Sequence, residues 1–437
     1  MNALTTIAAI PGVDSGDTAW VLAATAMVMF MTIGLGVFYS GLVRAKNALN
    51  TFMMCVAALA VVTISWALVG YSLAFGDGGG FVGNFDHAFL NGVGFEPVEG
   101  QTIPHIVFFA FQGTFCILTA ALVSGAVVER MRFLPYLIFI AIWSVAIYPV
   151  MAHWVFGGGF LAEGGTLDFA GGVPVEMGSG FTALAAALVV GARKDYGRQA
   201  LLPHNTVYIL LGAGILWFGW FGFNGGSGLG INEAGMLAFV NTLLTPACCL
   251  ATWFLLDYVR GRKITAVGAG TAIIVGCVGI TPAGAFISPA WAMALGVLVT
   301  FPCYAVIVWR PRTRVDETLD VLAAHGIAGL TGILLIGLFA QADWNAVADG
   351  LLYGDAALLG DQALAALVAP VYAFGATFVI LTAMKTVGAV RGSERDEAVG
   401  LDVTDHGEEA YVTGEGAILI ASAEPPSERV PAPTPGS

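Results

Sequence analysis

The chain has 437 residues, of which 57% are hydrophobic and only 11% are charged. Soluble domains usually carry about a quarter charged residues, so this composition excludes an ordinary soluble protein. The formal net charge of −13 also argues against a nucleic-acid partner, because such partners require a basic surface.

Long apolar segments predict an all-α integral membrane protein with eleven transmembrane helices. Runs of about twenty apolar residues recur along the sequence, and this is the length needed to cross a hydrocarbon core of ~30 Å. In chain order, the predicted spans lie near 19–41, 49–73, 104–128, 133–155, 174–192, 206–224, 234–257, 265–287, 290–309, 318–340 and 364–389. The lipid bilayer of the cell membrane is therefore the expected location.

The 17 lysines and arginines test this count, because basic residues stay in short cytoplasmic loops. All of them fall in the loops after odd-numbered spans, at the end of the last span, or in the tail. The loops on the opposite side contain none. This alternation predicts an odd number of spans, with the N-terminus outside and the C-terminus inside.

The composition divides the chain into four predicted regions. Residues 1–18 are expected to form a short extracellular segment, and 19–390 a single membrane domain. Residues 391–411 are expected to be an ordered cytoplasmic region, whereas 412–437 are rich in Pro, Ser and Glu and are expected to be disordered. Ten spans followed by one would fit two inverted five-helix halves plus a final helix.

The sequence shows no pattern typical of an enzyme, a metal site or a cofactor site. All six cysteines lie inside predicted spans without the spacing of a metal site, and they are interpreted as small core residues. No arrangement of a nucleophile with a base stands out. We therefore expect neither catalysis nor a cofactor.

Two ionisable residues stand out within the predicted spans, where a charged side chain costs on the order of 3 kcal/mol. His325 follows Asp316 by nine residues, so at ~1.5 Å per residue it lies roughly 13 Å into its span. Glu176 lies ~25 Å from Arg193 by the same count, near the outer end of its helix. The residues alone leave open a helix-start carboxylate and a satisfied core histidine. No role is assigned to four further histidines, which lie at predicted loops or span ends where water can solvate them: His87, His105, His153 and His204.

Seven segments carry a resemblance to a known family. They are FFAFQGTF (108–115), GAVVERMRF (125–133), AHWVFGGGFLAEGGTLDFAGG (152–172), GWFGFNGGSG (219–228), LAFVNT (237–242), AAHGIAGLTG (323–332) and GLDVTDHGEEAY (400–411). In this order, across residues 17–411, they closely resemble the ammonium transporter/methylammonium permease/Rhesus (Amt/Mep/Rh) family, and its ammonium transporter branch in particular.

The resemblance implies an outer cation site and a gate below it. Phe111, Phe156 and Ser227 would form the site that binds ammonium or methylammonium, with Asp168 supporting it from the end of its loop. Most members have Trp where this chain has Phe156, and Phe offers a cation a weaker aromatic quadrupole. Trp154, two residues away, would be the candidate to compensate. Phe115 and Phe223 would stack as the pore gate.

The resemblance also implies a central pair of ionisable residues in the pore. His325 would be one member, and Glu176 occupies the position where most members have a second histidine, as in some fungal members. A Glu–His pair titrates as one unit, which favours a proton-relay role.

The function implied by the resemblance is ammonium transport by a homotrimer in which each protomer has its own pore. NH4+ would be recruited at the aromatic site and deprotonated, and NH3 would pass through an apolar pore. A P-II-type regulatory protein would dock on the cytoplasmic face. The alternatives are an ammonium sensor or transceptor and a Rhesus-like channel for NH3 or CO2.

Overall fold

The structure is a computed structural model that describes residues 10–98 and 100–411. Half of the predicted extracellular segment, residues 1–9, and the whole predicted tail, 412–437, lie outside the described residues. Within those residues, every regular element longer than an isolated bridge is helical.

Eleven apolar helices form the body of the molecule. They are α1 Ser15–Leu42, α2 Ala45–Phe75, α3 His105–Val127, α4 Phe133–Glu163, α5 Gly172–Val190, α6 Thr206–Gly226, α7 Glu233–Val259, α8 Ala266–Ile280, α9 Pro289–Arg312, α10 Leu322–Phe339 and α11 Ala357–Val387. In the described part of the chain, ten are long and apolar enough to cross a membrane, and α8 is shorter at 15 residues. Each helix overlaps one predicted span.

The helix ends differ from the predicted spans where the first turn is polar. Helix α1 begins at Ser15, four residues before the predicted start at 19, because the Asp14 carboxylate accepts a hydrogen bond from the Asp17 backbone N–H. Helix α11 begins at Ala357, seven residues before the predicted start at 364, because the Ala357 backbone N–H donates a hydrogen bond to the Asp355 carboxylate. Carboxylates at these positions cap helices, but they lower the local hydropathy that defined the spans.

Close packing of two helix pairs forms the centre of the molecule. Helix α1 packs along α6, where a Cβ added to Gly212 would lie 2.4 Å from the Phe38 backbone nitrogen. Helix α5 packs in the same way against α10. Small residues permit such approach between apolar helices. Both α5 and α10 begin with a turn of π-helix, at Gly172–Met177 and Leu322–Ile327.

The segment after α11 folds back against the starts of α2 and α4. Asp402 accepts hydrogen bonds from the backbone N–H groups of Leu49 (3.1 Å) and Asn50 (2.7 Å). Asp405 accepts one from the Phe133 N–H at 2.8 Å. These carboxylates satisfy free N–H groups at two helix N-termini, where negative charge is favourable.

Buried charges connect the loops on this same side of the molecule. Glu129 is fully buried and pairs with Arg44 at 3.0 Å and with Arg193 at 2.6 Å. Arg193 also pairs with Asp316 at 2.8 Å. The network therefore joins the loops after α1, α3, α5 and α9.

Candidate functional site

An aromatic cavity of about 260 Å³ lies between the ends of α2, α3, α4 and α6. It is lined by Phe75, Gln101, Phe108, Gln112, Phe115, Val155, Phe156, Phe169, Ala170, Ser227 and Leu229. The structure thus brings Phe156 and Ser227 into one cavity. Phe111 is fully buried behind Phe115, with ring centroids 4.8 Å apart.

Two phenylalanine rings separate the aromatic cavity from a second cavity. Phe115 lines the aromatic cavity and Phe223 lines the second one. Their ring centroids are 4.5 Å apart and their planes meet at 64°. This is an edge-on contact, which aromatic rings prefer over a parallel sandwich. The sequence predicted a stacked pair, and the structure gives a contact of different geometry.

The second cavity, here called the central cavity, is narrow and largely apolar. Its volume of about 20 Å³ has room for a molecule the size of water. Its lining residues are Leu35, Phe38, Tyr39, Leu118, Leu122, Val175, Glu176, Leu216, Trp220, Phe223, Thr271, Ile274, Leu319, Ala324 and His325. Glu176 and His325 are the charged or readily charged side chains in this lining.

Glu176 and His325 contact each other in the central cavity. Oε2 of Glu176 lies 2.8 Å from Nδ1 of His325, and both side chains are buried. Oε1 of Glu176 has no hydrogen-bond partner among the described residues. The pair therefore keeps one carboxylate oxygen free for a proton or a small polar molecule.

Two glycines allow the helices that carry this pair to cross closely. A Cβ added at Gly180 of α5 would lie 2.2 Å from the backbone nitrogen of Gly326 on α10. A Cβ added at Gly329 would lie 2.5 Å from Cβ of Glu176. Each ionisable residue therefore lies beside a glycine of the opposite helix, and a larger side chain there would push the pair apart.

Comparison with known proteins identifies the family. The model of the Ammonium Transporter Family matches residues 19–411. The chain belongs to this family. The resemblance read from the sequence is confirmed, and the chain is a multi-pass integral membrane protein.

Named relatives of this ammonium transporter family member agree in length and fold. An ammonium transporter of Bacillus subtilis is 42% identical over 399 residues, covering 91% of this chain and 98% of that protein. The crystal structure of Saccharomyces cerevisiae Mep2 has a TM-score of 0.82 and 34% identity, covering 86% of this chain and 87% of that one. A structure described as a sensor Amt protein has a TM-score of 0.83 and 30% identity, covering 90% and 98%.

Asp168 caps the helix that carries Glu176. Its carboxylate accepts hydrogen bonds from the N–H groups of Gly171 (2.9 Å), Gly172 (2.7 Å) and Val173 (2.7 Å). Burial raises the pKa of Asp168 to about 6, and these three donors oppose that shift. The two residues that follow Asp168 line the aromatic cavity, so Asp168 holds this loop while its own oxygens bond to backbone.

Trp154 lies away from the aromatic cavity of this family member. Its indole packs against Phe160 and Tyr372, with ring centroids 5.2 and 5.0 Å away, and Nε1 donates to the Phe81 carbonyl at 2.9 Å. Trp154 therefore does not replace the missing Trp at position 156.

Two glutamines of the aromatic cavity were not singled out from the sequence. Gln112 lies inside the segment FFAFQGTF, which was a usable signal. Gln101 lies in a loop with no such signal, and its Oε1 is buried without a partner in the described part of the chain. Both amides place oxygen acceptors where the sequence predicted aromatic rings and one hydroxyl.

The expectation that water solvates His153 is wrong. This side chain is buried, with Nδ1 3.0 Å from the Ala74 carbonyl oxygen and Nε2 2.9 Å from that of Gly79. The loop after α2 folds over the end of α4, which hydropathy alone does not reveal. His153 therefore fixes this loop beside the aromatic cavity.

Proposed function

We propose that this chain transports ammonium across the cell membrane by admitting NH4+ to the aromatic cavity, removing its proton, and passing NH3 through the central cavity. The observation that carries the proposal is the contact of two unlike cavities at Phe115 and Phe223. One cavity offers aromatic faces and oxygen acceptors. The other is narrow and apolar, yet contains Glu176 and His325.

Desolvation explains how such a path selects its substrate. An ion that enters the central cavity loses its hydration to a lining of Leu, Ile and Phe, at a cost of many kcal/mol. Neutral NH3 loses far less. K+ and Na+ have no proton to release, so they cannot become neutral, and the narrow cavity excludes them by chemistry rather than by radius.

The aromatic cavity supplies groups suited to recruiting the cation. Rings at Phe115 and Phe156 attract a cation by about 0.5–2 kcal/mol, depending on how dry the site is. Ser227 Oγ donates to the Phe223 carbonyl at 2.8 Å, which leaves its lone pairs free to accept from an ammonium N–H. The amide oxygens of Gln101 and Gln112 add further acceptors.

The Glu176–His325 pair is suited to receive the released proton. The two groups are close enough to titrate together, so one added proton belongs to the pair. Oε1 of Glu176 is free to accept that proton. The proton then crosses by relay while NH3 crosses through the apolar lining.

The proposal includes a topology of eleven spans, with the N-terminus outside and the C-terminus inside. The separation of all basic residues to one side supports it. Two inverted five-helix halves would place α1 against α6 and α5 against α10, and the helices pack in these pairs.

The proposed assembly is a homotrimer, by likeness to the family. A P-II-type regulator would dock on the inner face, where Asp402 and Asp405 hold the folded-back segment.

The purified protein in proteoliposomes tests this function. Ammonium-driven current and uptake of labelled methylammonium are recorded together under an ammonium gradient, with K+ and Na+ as controls. Both signals should appear with ammonium and neither with the alkali ions. Neutral uptake without current indicates a Rhesus-like gas channel and refutes the proton relay.

A sensor is the second candidate, because the structure resembles a sensor Amt protein over 90% of this chain. A sensor would bind ammonium with little flux. Binding measured by calorimetry, together with the absence of both current and uptake, would favour that function over transport.

A further inference from the structure

The two helices of the central pair begin with the same spacing of carboxylates. Asp168 precedes Glu176 by 176 − 168 = 8 residues, and Glu317 precedes His325 by 325 − 317 = 8 residues. Asp168 bonds to the N–H groups that start α5, and Oε2 of Glu317 lies 3.3 Å from the Leu322 nitrogen that starts α10. Glu317 is therefore the counterpart of Asp168 on the other side of the pore.

The two counterparts differ in how their oxygens are satisfied. Both oxygens of Asp168 accept hydrogen bonds. Oε1 of Glu317 has no partner among residues 10–98 and 100–411, although its side chain is fully buried. A buried carboxylate oxygen without a partner costs free energy, and a proton on the carboxylate lowers that cost because it removes the charge.

A polar cavity of about 370 Å³ is lined by Thr318, Leu319 and Asp320, which follow the buried Glu317 in the chain, and it joins the path from the central cavity. The two cavities share Thr271 and Leu319 in their linings. Asp320 also lines the polar cavity, with its side chain a quarter exposed and its Oδ1 accepting from Arg310 Nε at 2.7 Å. A molecule that leaves the central cavity past Leu319 therefore arrives at the Asp320 carboxylate.

We infer that ammonia regains its proton in the polar cavity, and that the carboxylate pair Glu317–Asp320 holds and delivers that proton. This inference rests on the proposed function. In the step, the O–H bond of the protonated carboxyl group breaks and a fourth N–H bond forms, so that NH3 becomes NH4+. The carboxylate left behind pairs with Arg310 and with the new cation. Hydronium from the inner aqueous phase replaces the proton.

The charges around the pair permit it to hold one proton near neutral pH. Burial raises the pKa of Glu317 to about 7, Arg310 opposes this shift, and Asp320 adds to it. The other charged or titratable groups that face the pair are Arg130, Tyr39, Arg193 and Asp316. A carboxyl group of this pKa is protonated below pH 7 and ionised above it, so proton delivery weakens as the inner pH rises.

The test varies the inner pH of proteoliposomes from 6 to 8 while ammonium chloride is applied outside. For the unaltered protein, transport should fall about fivefold between inner pH 7 and 8, as expected for one group of pKa about 7. Glu317→Gln cannot ionise and should abolish this pH step, with half-saturation for external ammonium unchanged. The matched control is Glu394→Gln, an exposed carboxylate on the same side of the molecule, which should retain the step.

The outcomes separate this inference from the proposed function. If the unaltered protein neither conducts nor takes up substrate, the proposed function fails. If it transports but shows no step between pH 6 and 8, or if Glu317→Gln keeps the same step, the inference alone is wrong. Should Glu317→Gln fail to fold, Asp320→Asn serves as the second variant. If transport by Asp320→Asn falls at the same inner pH as in the unaltered protein, the inference is overturned.

Discussion

Oε2 of Glu176 lies 2.8 Å from Nδ1 of His325 at the crossing of α5 and α10. The two residues are far apart in the chain, and each lies in the first turns of its own helix. The contact places one pair of groups that can exchange a proton in the otherwise apolar central cavity. Because an ionisable group inside a membrane protein costs free energy, we propose that this pair takes part in proton transfer.

Glu176→Gln should reduce ammonium-driven current by about a hundredfold or more, a typical loss when a group that transfers protons is removed. The amide has the shape of the carboxyl group and can still contact His325, so the helices should stay in place. Current in proteoliposomes is measured against protein amount. The control is Glu163→Gln, which changes an exposed carboxylate at the end of α4 and should conduct normally. An undiminished current in Glu176→Gln would make Glu176 a helix-start carboxylate only.

Phe223→Ala should widen the contact between the aromatic and central cavities. Phe223 is fully buried and its ring lies 4.5 Å from that of Phe115, so truncation removes one side of the barrier. Water should enter the path and selectivity against K+ should weaken. K+ current and osmotic water flux report the change. A variant that excludes both as well as the parent protein places the selectivity barrier elsewhere.

Ser227→Leu should weaken recruitment of ammonium while leaving the fold intact. The Ser227 hydroxyl lines the aromatic cavity and leucine replaces its acceptor with an apolar side chain. The half-saturation concentration for methylammonium should rise several-fold, with little change in maximal rate.

Phe156→Trp is the opposite test, since Trp presents a stronger cation–π face and should lower the half-saturation concentration for methylammonium. Unaltered half-saturation in both variants removes this cavity from substrate binding.

The positions of the apolar helices could be predicted from sequence, because each needs a continuous apolar stretch that hydropathy detects directly. The polar first turns of α1 and α11 could not, since Asp14 and Asp355 cap helices with the same side chains that lower hydropathy. Helix α8 is also shorter than its predicted span of 265–287. The chain there leaves the helix at Ile280 and continues in turns.

The residues of the candidate site could be predicted only where they lie in a segment that resembles the family. The resemblance pointed to Glu176 and His325, but no local pattern predicts their contact, which depends on glycines of the opposite helix. Glu317 and Gln101 were not identified because an orphaned oxygen is visible only in three dimensions. The direction of Trp154 was likewise set by packing against Phe160 and Tyr372 rather than by its spacing from Phe156.

Glu129→Gln should destabilise the protein without altering the transport mechanism. The buried Glu129 carboxylate pairs with Arg44 and Arg193, and removing one charge from such a group typically costs about 3–5 kcal/mol. Burial alone would raise the pKa of Glu129, but Arg193 and Arg44 outweigh it and hold that pKa below its usual value. The stability that this group contributes is therefore present above the ordinary glutamate pKa and is lost as pH falls through the lowered pKa.

Thermal unfolding in detergent, measured from pH 7 down to pH 3, should show a lower unfolding midpoint for Glu129→Gln than for the parent protein at pH 7, and a smaller difference at low pH. Asp195→Asn, which removes a partly exposed partner of Arg44, should change the midpoint little. Equal midpoints for Glu129→Gln and the parent protein at pH 7 would contradict a stabilising role for this network.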